Sequence, residues 1–101
     1  MKYLENVNFT ELKELDLSNN NISEIKVLEK VKFNKLEILN LGNNKISNNI
    51  KILENVNFKE LKELNLSYNN ISEIKVLEKV KFNKLEKLNL SGNKISNNII
   101  F

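Results

Sequence analysis

The side chains able to do chemistry are few in kind. The 101 residues include 16 Lys and 13 acidic residues but no His, Arg or Cys. The commonest general base and metal ligand is therefore missing. So are the thiolate nucleophile, the Cys-based zinc site and the disulfide. The bidentate fork that reads phosphate and guanine is missing as well. What remains is paired carboxylates, such as Glu14 with Asp16, and many amines. A carboxylate pair acts as acid and base only where a cleft drives the two pKa values apart. Here the pair alternates along one short apolar-polar segment and points outward, with no pocket implied. No lysine is marked as buried and activated. Neither a Gly-rich phosphate loop nor an EF-hand-like loop occurs. The residues predict no catalysis, no cofactor and no metal.

Charge narrows the partners. The net charge is +3. A nucleic-acid reader gathers its basic residues on one face. Here Lys and Glu interleave, as in EIKVLEKVK at 24–32, which reads as a solvated mixed-charge face. No nucleic acid is expected. No run approaches the roughly 18 apolar residues of a transmembrane helix, and MKYLENVNF at 1–9 lacks an apolar signal core. No membrane association is expected. The absence of Cys fits a reducing compartment. Five N-x-S/T sequons, at Asn8, Asn21, Asn65, Asn70 and Asn89, are expected in so Asn-rich a chain. Asn65 and Asn89 fall where a glycan would obstruct the candidate surface below. These features together predict a cytoplasmic protein.

The elements that carry these residues repeat. Residues 1–49 and 50–98 agree at 41 of 49 positions. Each unit divides again. LKELDLSNNNI at 12–22, LEILNLGNNKI at 36–46, LKELNLSYNNI at 61–71 and LEKLNLSGNKI at 85–95 are four copies of L-x-x-L-x-L-x-x-N-x-I, starting 24, 25 and 24 residues apart. The phrase resembles the signature of the leucine-rich repeat family, in its leucines, its Asn and its period. The match covers nearly the whole chain. The resemblance implies an α/β solenoid, a right-handed superhelix or horseshoe segment. Short parallel strands line its concave face, and short helical or 3₁₀ turns line its convex face. One domain over 1–101 is expected, with about four repeats of 24–25 residues and no clear caps.

The residues support that architecture independently. Leu15-Asp16-Leu17 alternates in, out, in, the period of a strand. Asn20, Asn44, Asn69 and Asn93 each follow it by three residues, and each carboxamide can bond its own turn and the neighbouring repeat, making a buried ladder. Ile25, Leu28 and Val31 are spaced for a short helix or 3₁₀ turn, with Ser23-Glu24 as its expected N-cap. Asn48-Asn49 replaces Ser-Glu in the even repeats, so two kinds of turn should alternate. Phe9, Phe33, Phe58 and Phe82 sit three residues before each phrase and predict an internal aromatic column.

The surface expected to work is the concave strand face. Three outward columns lie on it: Glu14, Ile38, Glu63 and Lys87; then Asp16, Asn40, Asn65 and Asn89; then Asn19, Asn43, Tyr68 and Gly92. Solenoids bind through such faces, and the resemblance implies a protein or peptide partner there. Ile38 and Tyr68 stand where their counterparts are polar, and Tyr is favoured at interface hot spots. Five of the eight differences between the two 49-residue units (16/65, 19/68, 38/87, 42/91 and 43/92) fall on this face or at the strand exit. Such clustering predicts divergence where a ligand touches. The leading expectation is a non-catalytic protein-binding module. The alternative is a structural scaffold that associates end to end through uncapped terminal repeats, as a homo-oligomer or as a fragment or engineered piece of a longer repeat protein.

Overall fold

The computed structural model of the chain describes residues 9–80 and 82–95. Four three-residue strands, β1 (Glu14–Asp16), β2 (Ile38–Asn40), β3 (Glu63–Asn65) and β4 (Lys87–Asn89), form one parallel sheet in the order β1-β2-β3-β4. Between them run 3₁₀ turns at Lys26–Glu29, Asn48–Asn55 and Lys75–Glu78. Each strand starts one residue earlier than the leucine alternation suggests. The ladder still continues past it, since Leu17 N–H donates to the Asn40 carbonyl at 2.8 Å.

Leucines set the sheet in place. Leu39, Leu41, Leu61, Leu64 and Leu66 are buried between the strands and the 3₁₀ layer. Ile25, Leu28, Ile50 and Leu53 close the core from the opposite side. The odd and even turns differ as expected: four residues at Lys26–Glu29 and Lys75–Glu78, eight at Asn48–Asn55. The expected Ser23-Glu24 cap is replaced. The residue before the turn is Ile25, with no side-chain cap. The turn begins too late for Ser23 to reach it, and the Glu24 carboxylate instead accepts the Lys26 N–H at 3.0 Å.

The aromatic column is present. Successive ring centroids of Phe9, Phe33, Phe58 and Phe82 lie 5.9, 5.6 and 5.9 Å apart. These separations suit offset or tilted aromatic contacts. The Asn ladder is present too, but only Asn44 and Asn69 are buried. Asn20 is exposed and Asn93 half-buried.

Asn48 and Asn49 tie the repeats on the helical side. The Asn48 Oδ1 accepts from Ser72 N, Ser72 Oγ and Glu73 N at 3.1–3.3 Å. Asn49 Nδ2 donates to the Ser23 carbonyl at 2.6 Å. One even repeat thus holds both odd neighbours. The other Asn residues without an evident role in the phrase, Asn6 and Asn8, lie outside the described residues, and Asn34 is simply exposed. Among the described residues no helix is long and apolar enough to cross a membrane.

Candidate binding surface

In-register parallel pairing builds the first two columns. Glu14, Ile38, Glu63 and Lys87 are successive partners, and so are Asp16, Asn40, Asn65 and Asn89. Each strand alternates its residues across the sheet, so Leu15, Leu39 and Leu64 point to the core and their neighbours point away. Ile38, Asn40, Glu63, Asn65, Lys87 and Asn89 meet around an open depression over β2–β4. Glu14, Asp16, Asn19, Asn43 and Tyr68 stand outside its lining. Ile38 is half-buried, with Glu14 and Glu63 as its register partners. Lys87 Nζ lies 3.5 Å from Glu63 Oε1. That pair is exposed, so its contribution to stability is small.

The second column has an internal task. Each of its side-chain oxygens accepts the main-chain N–H two residues on: Asp16 from Ser18, Asn40 from Gly42, Asn65 from Ser67 and Asn89 from Ser91, at 2.9–3.0 Å. These are Asx turns that bend the chain out of the strand. Three of them take a second bond from the serine hydroxyl. The carboxamide nitrogens of Asn40, Asn65 and Asn89 make no bond among the described residues.

Asp16 is the one acid in that column. Its carboxyl is held below the ordinary carboxylate range, first by the Ser18 hydroxyl and then by the Ser18 amide. Both bonds favour the charged form. A folded pKa below the unfolded one contributes stability that is present above the unfolded value and lost as pH falls through the folded value. An NMR titration should place the Asp16 midpoint below that of unfolded Asp. Ser18→Ala should move it upward, and an unchanged midpoint would rule out the hydroxyl as the cause. Glu11 and Glu60 are lowered likewise by bonds from Lys35 and Lys84, at 2.7 and 2.8 Å.

The third column is a left-handed position. Asn19, Asn43, Tyr68 and Gly92 have φ of 60, 52, 53 and 71°. Asn tolerates this region and Gly adopts it freely, but a bulky residue there is an outlier. Two pairs of repeats solve the position in two ways. Asn43 Nδ2 donates to Asn19 Oδ1 across β1 and β2. The Tyr68 ring instead lies over Gly92, where an added Cβ would overlap its Cγ, Cδ1 and Cε1. The exchanges 19/68 and 43/92 are therefore one coupled change. Packing also bears on 42/91, since a Cβ on Gly42 would approach Asn40 Oδ1 at 3.1 Å and Ser67 Oγ at 3.2 Å. Of the five strand-face differences, 38/87 and 16/65 remain without such a packing reason.

Gly92→Ala should destabilise the fold by about 1–2 kcal/mol, from the left-handed backbone and the ring together. In a Tyr68→Gly background the loss should shrink, and a double-mutant cycle of thermal melts measures the difference. Strict additivity would show that the ring does not rest on Gly92.

A fourth column escaped the sequence reading. Lys13, Glu37, Lys62 and Glu86 alternate in sign, with Lys62 Nζ 3.7 Å from Glu37 Oε1. Glu11, Lys35, Glu60 and Lys84 alternate in the opposite phase. The signal was present in the first phrase positions, as E-L-K-E against K-L-E. Among the described residues no group of three or more acidic side chains is placed to hold a metal ion.

Among curated proteins none matches the chain. The family model for Leucine Rich repeats (2 copies) matches it twice, over residues 10–55 and 59–99. Sheet order, 3₁₀ turns, leucine core and asparagine ladder all accord with those matches: the chain belongs to the leucine-rich repeat family.

Proposed function

We propose that the chain is a non-catalytic module that holds a protein or peptide partner on its strand face. Leucine-rich repeats in general serve as protein-interaction modules, and the geometry here favours that use. The observation that carries the proposal is the composition of the face. Half-buried Ile38 lies among Glu14, Glu63 and Lys87, bordered by carboxamide nitrogens, while Tyr68 stands 63% exposed. An apolar spot with a polar rim and a projecting tyrosine is the anatomy of an interface. The same proposal places the protein in the cytoplasm, where its lack of cysteine and its strand-face sequons carry no penalty.

The test compares two surfaces. Capture of a partner should fail with Tyr68→Ala, Lys87→Glu and Glu63→Lys combined, and persist with Lys26→Glu and Lys30→Glu on the helical side. With the partner purified, Tyr68→Ala alone should weaken binding about tenfold or more. Binding that survives the strand-face changes but is lost with the helical-face ones would overturn the proposal.

A further inference from the structure

The two 49-residue units differ on the strand face at two places without a packing reason, 16/65 and 38/87. Both exchanges alter charge, and in the same direction. The first unit has Asp16 where the second has Asn65, and Ile38 where the second has Lys87. The strands beneath are paired alike. Glu14 is in register with Ile38 and Asp16 with Asn40, as Glu63 is with Lys87 and Asn65 with Asn89.

In the second unit the one acid is answered, since Lys87 Nζ lies 3.5 Å from Glu63 Oε1. In the first unit uncharged Ile38 takes the place of that lysine, and Asp16 adds a second carboxylate. Among the described residues no lysine forms an ion pair with Glu14 or Asp16. Both acids are exposed, and the two bonds from Ser18 keep Asp16 charged. The neighbouring column, Lys13, Glu37, Lys62 and Glu86, is balanced in sign. The strand face is therefore net negative on a chain of +3. Lysine is in excess on the helical side, with three Lys to two Glu in 24–32 and again in 73–81.

We infer that the partner presents to the first unit's strand face an extended peptide segment bearing a lysine or arginine, its cation held by Glu14 and Asp16 and its aliphatic stem laid on Ile38. This rests on the strand-face reading above and narrows it to a cationic partner. Glu14 and Asp16 point from the same side of β1, two residues and so about 7 Å apart, a gap that one ammonium or guanidinium can bridge. Ile38 stands one strand away, at about 5 Å. Long cationic side chains cover apolar surface with their methylenes and keep the charged head among polar groups. The second unit is the same surface with the cation built in, Lys87 holding Glu63.

Binding of fluorescein-labelled peptides, followed by anisotropy, tests this. The probes are short repeats of Leu-Lys-Ser, Leu-Glu-Ser and Leu-Ser-Ser. The lysine peptide should bind at least about tenfold tighter than the other two. Asp16→Asn with Ile38→Lys installs residues that the second unit already accommodates, and should weaken the lysine peptide about tenfold or more. Glu14→Gln, which leaves the packing untouched, should weaken it as well. Glu73→Lys adds the same charge on the helical side and should change the affinity by less than about twofold, since exposed charges far from the site are screened. Conversely, Asn65→Asp with Lys87→Ile should double the number of lysine peptides bound per chain. A glutamate peptide that binds best, a lysine peptide indifferent to the Asp16 and Ile38 exchange, or no binding by any of the three would each overturn the inference. Partner capture that fails with Tyr68→Ala, Lys87→Glu and Glu63→Lys combined, yet survives Asp16→Asn with Ile38→Lys, would remove the cationic partner and leave the strand-face module standing.

Discussion

Phe58→Ala should remove about 3–5 kcal/mol of stability, the usual cost of emptying a buried aromatic site. Phe58 is fully buried and lies between Phe33 and Phe82, so both ring contacts go at once. A chain of this size has roughly 5–15 kcal/mol in total. The loss should lower the melting temperature by roughly 12 °C or more. The damage should also be local in kind. A solenoid is held by nearest-neighbour contacts, and Phe58 lies at the junction of the second and third repeats. Amide exchange should therefore rise most around β2, β3 and the 3₁₀ turn at Asn48–Asn55. Phe82→Ala, at a half-buried ring with one described neighbour, should cost distinctly less in the same denaturant titration. Phe58→Leu, which keeps most of the volume, should cost under about 1.5 kcal/mol. Equal losses at Phe58 and Phe82 would show that neither the deeper burial of Phe58 nor its second ring contact sets the cost.

Much of this was legible because a parallel, in-register solenoid converts sequence spacing directly into neighbourhood. Residues 24 or 25 apart become contacts, so the columns on the strand face, the Phe column and the Asn ladder follow from aligning the four phrases. What the phrases hide is how each residue is used once it is there. The Asp16 column looks like free polar surface, yet its oxygens close Asx turns, because the chain must bend out of each strand within two residues. Tyr68 looks like a lone exposed aromatic, yet it shares a left-handed backbone position with Gly92. That coupling shows only when the two are seen as neighbours across β3 and β4. Asn48 and Asn49 looked like compositional excess. Their bonds reach 24 and 25 residues forward and 26 back, mostly to main-chain groups that carry no side-chain signature. The cap moved from Ser23 because the 3₁₀ turn starts only after Ile25 is buried, and burial outweighs the local hydrogen-bonding preference of Ser.

Asn44→Ala should cost about 2–4 kcal/mol, while Asn20→Ala, the same change in the same motif, should cost less than about 1 kcal/mol. The contrast rests on what each carboxamide holds. Asn44 accepts Asn20 N and Ile22 N, at 3.0 and 2.9 Å, and donates to Leu17 O, Leu41 O and Gly42 O at 3.0–3.1 Å. It is only 7% exposed, so water cannot replace it at the buried Ile22 amide. Asn20 is exposed and donates only to its own turn, at Leu17 O and Ser18 O, which solvent can hydrate. Asn44→Asp separates the two halves of the job. It keeps the acceptor for the two amides but sets a carboxylate oxygen against three carbonyls. Those carbonyls and the burial favour the protonated acid, so the folded pKa should rise above the ordinary 3.9 or so of Asp. A raised folded pKa contributes stability that is present below the unfolded value and lost as pH rises through the folded one. The Asp variant should therefore be weakest at neutral pH and approach the parent in acid, when urea midpoints of the two are compared at each pH. A deficit that stayed constant with pH would rule out repulsion between the carboxylate and the three carbonyls as its cause.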